Sequence, residues 1–388
     1  MNEKNISFYR GKFEDELYKS VLPFWENHSP DHKNGGFYNC LDEDGSVYDT
    51  RKHIWLQGRQ TWLFSKLYNT AEKNENWLLM AKMGAEFLAK HAKREDGRVF
   101  FSVTEQGEGL WMQRKVFSEC FYVMALAEYS RASGEEKYAN EAKTVFKDVW
   151  RWAKDLSLVG RPTFKGMKDT QGLAIPMILL NLIEEIASDD WQQYRAEVEE
   201  CIDRMLLHVH PQKKLVYETV TPEGKEINDI DGRLLNPGHA IEAGWFLQHW
   251  AKKLKNEELS NTAVNMVRWS FEKGWDNEFG GLYYFLDSRG YSPTQLEWDM
   301  KLWWPHTEAM YAHLLNYTIT GEDIDWKWFE KVTTYTFDHF PDEKNGEWYG
   351  YLNRKGERTH RFKGGPYKGC FHVPRALLLC LNVLNKMK

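Results

Sequence analysis

The chain has 388 residues, a formal net charge of −6 and a hydrophobic content of 42%. These values exclude a disordered or collagenous protein, and the absence of Lys/Arg runs argues against a nucleic-acid-binding surface. The longest apolar run, residues 172–183, is too short to span a bilayer and contains Pro176, so no membrane association is expected.

The cysteines and the N-terminus indicate the cellular compartment. The five cysteines form no C-x-x-C pair, which argues against a disulfide framework and a zinc cluster. Residues 1–16 lack the apolar core of a signal peptide. We therefore predict a soluble, cytoplasmic protein. Aromatic residues make up 15% of the chain; composition alone favours a large aromatic core over a sugar-binding site.

Apolar residues recur at helical spacing through most of the chain. The pattern predicts twelve helices, at about 7–27, 56–72, 75–93, 116–133, 135–154, 171–187, 190–209, 238–254, 257–274, 301–319, 322–339 and 369–386. Capping sequences occur at 133–136 and 320–323. Because no Ser/Gly-rich or Pro-rich linker divides the chain, we predict a single domain over residues 1–388.

Short segments with alternating apolar and polar residues lie between these helices. Two are similar in sequence, GGFYNCLDEDGSVYD at 35–49 and GGLYYFLDSRGYSPT at 280–294, and weaker copies occur at 97–108, 214–226 and 346–357. Each is predicted to form a β-hairpin that leads into the next helix. Paired helices with hairpins before alternate helices predict an all-α (α/α)6 barrel of twelve helices, with an open solenoid as the alternative.

Four repeats place a distinctive side chain at nearly the same distance from the turn glycine. Counted from Gly45, Gly224, Gly290 and Gly356, the distances are 14 residues to Arg59, 15 to His239, 14 to Trp304 and 16 to His372. In a closed ring the N-terminal ends of the inner helices converge, so these side chains should border one pocket. Helical spacing adds Glu242 beside His239 and Glu308 beside Trp304.

Each of these residues also has a structural interpretation. A single histidine is more often a satisfied structural group than a catalytic one, although the shared offset of His239 and His372 strengthens the catalytic interpretation. Arg59 could be a structural guanidinium, and Trp304 could belong to the core. Glu308 lies among apolar residues, where a carboxylate needs a partner.

Other site types fit the sequence poorly. The zinc-binding pattern H-E-x-x-H is absent from the sequence, and we predict no metal site. The segment GRPTFKGMKD at 160–169 lacks the Gly-Lys-Ser/Thr of a phosphate-binding loop, and G-x-S-x-G is absent.

Several motifs resemble the N-acylglucosamine 2-epimerase family, which includes the renin-binding protein. They include IWLQGRQTW (54–62), LLNPGHAIEAGWF (234–246), QLEWDMKLWW (295–304) and KGCFHVPRALLLC (368–380). The resemblance extends over about residues 21–382. It implies an (α/α)6 barrel, a homodimer and an isomerase that requires no cofactor. Some members are activated by ATP, so ATP could act here as an allosteric activator, although the segment 160–177 departs from the family pattern.

The matching motifs imply a role for each of several site residues. His239 and His372 correspond to the family's two catalytic histidines, and Arg59 to the arginine at the reacting end of the sugar. Glu242 and Glu308 match acidic residues of the pocket. Aromatic walls that bind the substrate are implied at Trp304, Trp245 and Trp303.

The implied reaction is interconversion of N-acetylglucosamine and N-acetylmannosamine. It removes a proton from carbon 2 of the open-chain sugar and returns one on the other face, which suits two imidazoles, with Arg59 stabilising the enolate. The alternatives are another epimerase or aldose–ketose isomerase, of the cellobiose 2-epimerase or mannose isomerase type, a glycoside hydrolase using Glu242 and Glu308, and a non-catalytic binding protein.

Overall fold

Helices alternate along the chain between a buried set and a half-exposed set. The computed structural model describes residues 3–387. Its α-helices are α1 (Glu3–Asp15), α2 (Leu22–His28), α3 (Ile54–Thr70), α4 (Glu75–His91), α5 (Phe117–Ser133), α6 (Glu136–Lys154), α7 (Ala174–Ala187), α8 (Arg195–Leu206), α9 (Pro237–Leu254), α10 (Glu257–Gly274), α11 (Trp303–Thr320), α12 (Asp323–His339) and α13 (His372–Leu384). A π-helical turn, Glu16–Val21, joins α1 and α2 into one continuous segment, so twelve helical segments form the barrel in the described part of the chain.

The inner ring consists of α3, α5, α7, α9, α11 and α13. Helices α5 and α11 are buried on nearly all sides, whereas the outer helix α6 buries a stripe that includes Tyr138, Ala142, Val145 and Val149, the spacing of an amphipathic surface helix. The ring closes where the segment before α13 meets α3, because the Phe371 and Trp62 rings lie 5.4 Å apart. The predicted (α/α)6 barrel is confirmed.

Short strands join neighbouring repeats at one end of the ring. They are β1 (Cys40–Leu41), β2 (Val47–Asp49), β3 (Lys52–His53), β4 (Ser102–Val103), β5 (Gly109–Trp111), β6 (Gln171–Gly172), β7 (Val209–His210), β8 (Leu215–Val216), β9 (Thr219–Val220), β10 (Leu234–Leu235), β11 (Leu286–Asp287), β12 (Lys301–Leu302) and β13 (Tyr351–Leu352). The segments at 35–49 and 97–108 form antiparallel hairpins, β1–β2 and β4–β5.

The other three alternating segments differ from the prediction in their pairing. Their glycine turns form, but β9, β11 and β13 pair with β6, β10 and β12, the strands just before inner helices. The strand β3 before α3 pairs in the same way with β4. At the closure of the ring, the amides of Lys363 and Gly364 donate to the carbonyl of Leu41. An alternating pattern predicts a strand but does not identify its partner.

A buried ion pair repeats beneath three of these strands. Lys52, Lys301 and Lys363 bind Asp31, Asp276 and Asp342 at 2.7, 3.1 and 2.9 Å. In each pair the aspartate follows an outer helix and the lysine precedes an inner helix. Burial alone raises the pKa of Asp31, but hydrogen bonds from Lys52 and Asn34 outweigh it and lower the pKa to about 2.

The core is continuous around the ring and combines aliphatic with many aromatic side chains. One cluster of buried side chains extends from Ile6 to Leu384, and Trp25, Trp250 and Trp348 are among its largest fully buried members. Among the described residues, no helix has both the length and the apolar character needed to cross a bilayer.

Candidate active site

The sequence Asn-Pro-Gly-His fixes the start of α9 and therefore the position of His239. Asn236 caps the helix, because its side-chain oxygen accepts a 3.1 Å hydrogen bond from the His239 amide, and Pro237 occupies the first helical position. Gly238 leaves room for a neighbour, since a Cβ there would lie 2.5 Å from Cη2 of Trp304. This close approach places the Trp304 ring 5.3 Å from the His239 ring.

Glu218 holds one nitrogen of the His239 ring. Both oxygens of the Glu218 carboxylate lie 3.1 Å from Nδ1 of His239, so Nδ1–H donates to the carboxylate and Nε2 remains free. Burial alone lowers the pKa of His239, but the charge and hydrogen bond of Glu218 outweigh it, and the net shift is upward. The arrangement favours the protonated imidazolium.

His372 opens α13 and has a carboxylate partner of its own. Its Nδ1 donates to Oε1 of Glu308 at 2.8 Å, and Oε2 of Glu308 accepts from Nε1 of Trp245 at 2.9 Å. Burial, followed by the positive charges of Arg59 and Arg375, lowers the pKa of His372 well below its ordinary value. The structure therefore favours a neutral imidazole with an unprotonated Nε2.

Arg375 ties together the two acidic residues predicted for the pocket. Its Nη2 donates to Oε1 of Glu242 at 2.6 Å and to Oε1 of Glu308 at 2.7 Å, and all three side chains are buried. Burial opposes the charge of Arg375, but Glu308 and Glu242 outweigh it and raise the pKa of the guanidinium. Arg375 is thereby the shared counter-ion of both carboxylates.

Arg59 lies in a cage of aromatic rings. Its Cζ is 4.6, 4.2 and 4.9 Å from the ring centroids of Trp55, Phe121 and Phe371, a cation–π arrangement. Among the described residues its buried Nε has no hydrogen-bond partner. Burial and the nearby Arg375 lower its pKa. A guanidinium held by rings rather than by a carboxylate keeps its charge available for an anion.

Trp304 lies between the two imidazoles. Its ring centroid is 5.3 Å from that of His239 and 5.9 Å from that of His372. Trp303 lies beside His372 at 6.4 Å and packs against Tyr351 at 5.3 Å. The structure thus places both histidines against one indole, as the repeat spacing predicts, with Trp303 on the side of His372.

Glu242, Glu308 and His372 also have the spacing of a cation site. One ligand atom from each lies within 4.8 Å of the others. The Arg375 guanidinium, however, bonds an oxygen of both carboxylates. It supplies the positive charge that these carboxylates require, so the cluster fits an internal cation better than a metal ion.

The sequence analysis missed two residues of this arrangement, Glu218 and Arg375. Glu218 precedes β9 and reaches His239 from a segment 21 residues away, a distance that no helical spacing predicts. Arg375 lies three residues after His372 on α13 and contacts it within the same network. The i to i+3 spacing that pointed to Glu242 could have identified Arg375 too.

Comparisons with known proteins identify the family of this chain. The sequence model of the N-acylglucosamine 2-epimerase family matches residues 36–376. The chain is 43% identical to the N-acylglucosamine 2-epimerase of Bos taurus over 95% of its length and 89% of the relative, and 25% identical to the cellobiose 2-epimerase of Ruminococcus albus over 96% and 97%.

The solved structures support the same architecture. Cellobiose 2-epimerase from Bacillus thermoamylovorans superposes with a TM-score of 0.82 at 22% identity, covering 98% of this chain and all of the other. At that identity the likeness shows the fold alone. The family match over most of the chain, together with the identity to the bovine relative, shows that this chain belongs to the N-acylglucosamine 2-epimerase family.

Proposed function

We propose that this protein is an N-acyl-D-glucosamine 2-epimerase that interconverts N-acetylglucosamine and N-acetylmannosamine. The observation that supports this proposal most directly is the pair of imidazoles that border Trp304. Each imidazole binds a carboxylate through Nδ1, and among the described residues its Nε2 has no hydrogen-bond partner. The relative with 43% identity over 95% of the chain bears that activity in its name, whereas the cellobiose 2-epimerase is only 25% identical.

Before the reaction, His372 is neutral and His239 is protonated. This difference determines which histidine acts as the base and which as the acid in one direction of the reaction. Neutral His372 accepts the proton from carbon 2 at Nε2, and the electrons of the broken C–H bond move toward the carbonyl at carbon 1. The resulting enolate is then protonated on its opposite face by the imidazolium of His239. In the reverse direction the roles exchange, because each turnover leaves His372 protonated and His239 neutral. Proton transfer of this kind contributes about 10²- to 10⁴-fold.

Arg59 is positioned to stabilise the enolate oxygen. Its guanidinium is held by three rings, and no described carboxylate forms an ion pair with it, so its charge can stabilise an oxyanion of the substrate. Glu308 keeps His372 in the tautomer that presents an unprotonated Nε2, and Arg375 binds Glu308. All of these steps use protein side chains.

The test is turnover in deuterated water, followed by NMR. Incubation with N-acetylmannosamine should yield N-acetylglucosamine carrying deuterium at carbon 2. His239→Gln and His372→Gln should each lower the rate by at least about 100-fold, while His360→Gln, on an exposed loop, should not. Near wild-type turnover in either active-site variant would overturn the two-base mechanism.

Parallel incubations with other sugars separate the alternatives. An aldose–ketose isomerase would convert a 2-hydroxy aldose such as mannose into a ketose, and a glycoside hydrolase would release a reducing sugar from a glycoside. The hydrolase is less favoured because it needs one carboxylic acid that can donate a proton, whereas Arg375 binds both Glu242 and Glu308. A non-catalytic binding protein would show no turnover of either N-acyl sugar.

Location, assembly and the nucleotide are further parts of the proposal. All five cysteines are buried and free, which supports a reducing compartment such as the cytoplasm. A homodimer is expected from the family resemblance, and light scattering of the purified protein would measure it. ATP is proposed only as an allosteric activator; rates with and without ATP test this, and equal rates would contradict it.

A further inference from the structure

A second cavity lies at the end of the barrel opposite the imidazoles. It has a volume of about 240 Å³, and its wall is built from the C-terminal halves of α3, α5, α7, α9 and α13. At about 30 Å³ for each liquid water, it has room for roughly eight. Trp245 and Arg375 lie between this cavity and the two active-site histidines. His239 and His372 do not line the cavity.

Every cationic side chain that lines the cavity is paired, whereas Asp189 at its exposed edge has no ion pair within the described chain. Lys66 lies 3.4 Å from Glu128, and Arg131 lies 3.5 Å from Glu185. Lys253 lies 2.9 Å from Glu184, and His249 lies 3.4 Å from the same residue. A charged ligand would have to break one of these pairs and leave a half-buried charge without its partner, which is costly.

Neutral polar groups of the wall, in contrast, are free. Asn181 is 6% exposed and lines the cavity, yet among the described residues its carboxamide has no hydrogen-bond partner. The side chains of Asn382 and Ser188, which also line it, likewise make no hydrogen bond within the described chain. A carboxamide both donates and accepts hydrogen bonds, so an occupant that has donors and acceptors of its own can pair with these groups.

The remaining lining is apolar and partly aromatic. Trp62 and Trp245 contribute indole edges, and Leu378 and Leu379 contribute aliphatic surface. Paired cations, free carboxamides and apolar surface together match a molecule with many hydroxyl groups and no net charge, whose C–H groups pack on the apolar side chains. An inorganic anion would find no unpaired cation on the described wall.

We propose that this cavity is a second ligand site that binds a small neutral polyhydroxylated molecule of about monosaccharide size. Asn181 and Asn382 supply its hydrogen bonds, and Trp62, Trp245 and the two leucines contact its C–H groups. The site is separate from the one that contains the imidazoles and does not depend on the reaction proposed there.

Equilibrium dialysis with radiolabelled D-glucose tests the proposal. It compares wild type with Asn181→Leu, each also in a Trp304→Ala background that removes the aromatic wall of the catalytic pocket. Asn181→Leu should remove one equivalent of bound glucose in both backgrounds, and Asn382→Leu, at the less buried end of the cavity, should weaken the same binding. Asn140→Leu, exposed on α6, is the matched control.

Each outcome decides the matter. Equal glucose binding with and without Asn181→Leu, or no binding in the Trp304→Ala background, would overturn the proposal. If Asn181→Leu does not fold, as judged by circular dichroism, the Asn382→Leu result in the same assay replaces it. Epimerase turnover is measured separately, so failure of the catalytic proposal would leave the Asn181-dependent equivalent of glucose unchanged.

Discussion

Glu218 binds His239 through both carboxylate oxygens, each 3.1 Å from Nδ1. This contact makes Glu218 a positioning residue that stabilises the imidazolium. Glu218→Gln removes the charge while keeping the size, so we expect kcat to fall about tenfold or more, because one pKa unit corresponds to a factor of ten. KM should change little, and Glu223→Gln, on the exposed turn that follows, should leave kcat unchanged.

The opposite pKa shifts of the two histidines predict the pH dependence of the rate. The pKa of His372 is lowered, so this residue stays neutral until well below pH 6.5, and that of His239 is raised, so it stays protonated above that value. In the direction in which His372 accepts the proton from carbon 2, the rate should therefore not change with pH near neutrality. It should fall at alkaline pH, where His239 loses its proton. Glu218→Gln should move this alkaline limb to lower pH; an unmoved limb would contradict the assignment.

Arg375 should contribute to stability as well as to the site. Arg375→Met leaves Glu242 and Glu308 buried without their counter-ion, and breaking a buried pair in this way costs about 3–5 kcal/mol. Urea denaturation measures the free energy of unfolding. Arg94→Met is the control, because the Arg94–Asp96 pair at 3.1 Å is about half exposed and should contribute less than about 1 kcal/mol. Similar losses in the two variants would refute the role of Arg375.

Two helical glycines should respond in opposite ways to alanine. In Gly238→Ala the new methyl would meet Trp304 at 2.5 Å; we expect a loss of about 1–3 kcal/mol from overpacking and a lower kcat as the indole moves. In α1, a Cβ at Gly11 has no atom within 4 Å, so Gly11→Ala should stabilise by about 0.5–1 kcal/mol. Thermal unfolding and turnover of both variants decide the matter.

The repeated aspartate–lysine pairs predict a loss of stability in acid. The pKa of Asp31 is about 2 in the folded protein, below about 3.9 in an unfolded chain. Because the pKa is lower in the folded protein, the ionised carboxylate stabilises the fold. This stabilisation is complete above the pKa of the unfolded chain and is lost as the pH falls toward 2. Asp31→Asn should therefore be less stable than wild type at pH 6 and closer to it at pH 2.5. A difference that does not depend on pH would contradict the pairing.

The sequence predicts the fold well because each helix carries its own periodicity. Predicted and observed helix ends agree within a few residues at most positions, for example 257–274 against Glu257–Gly274. The predicted 190–209 shortens to Arg195–Leu206, because a 3₁₀ turn, Trp191–Tyr194, precedes it. The strand partners were less predictable. Strands β11 and β13 pair with β10 and β12, and the alternation of apolar and polar residues within a strand does not specify its partner.

The candidate site was predictable only in part. The turn-to-helix offsets brought His239, Trp304 and His372 together correctly, because these residues occupy equivalent positions in a ring. Glu242 and Glu308 followed from helical spacing. The same spacing places Arg375 beside His372, but its bonds to the two carboxylates cross between helices and could not be predicted. Glu218 was missed because it approaches His239 from the segment just before β9, 21 residues away along the chain.

The bonds between Leu41 and residues 363–364 join the first repeat to the last. Contacts this distant in sequence make folding slow, because the long loop must be closed before they form. Arg59 belongs to the first repeat of the ring and His372 to the last. Their two helix ends are therefore brought side by side only when the ring closes, so the proposed site is completed late in folding.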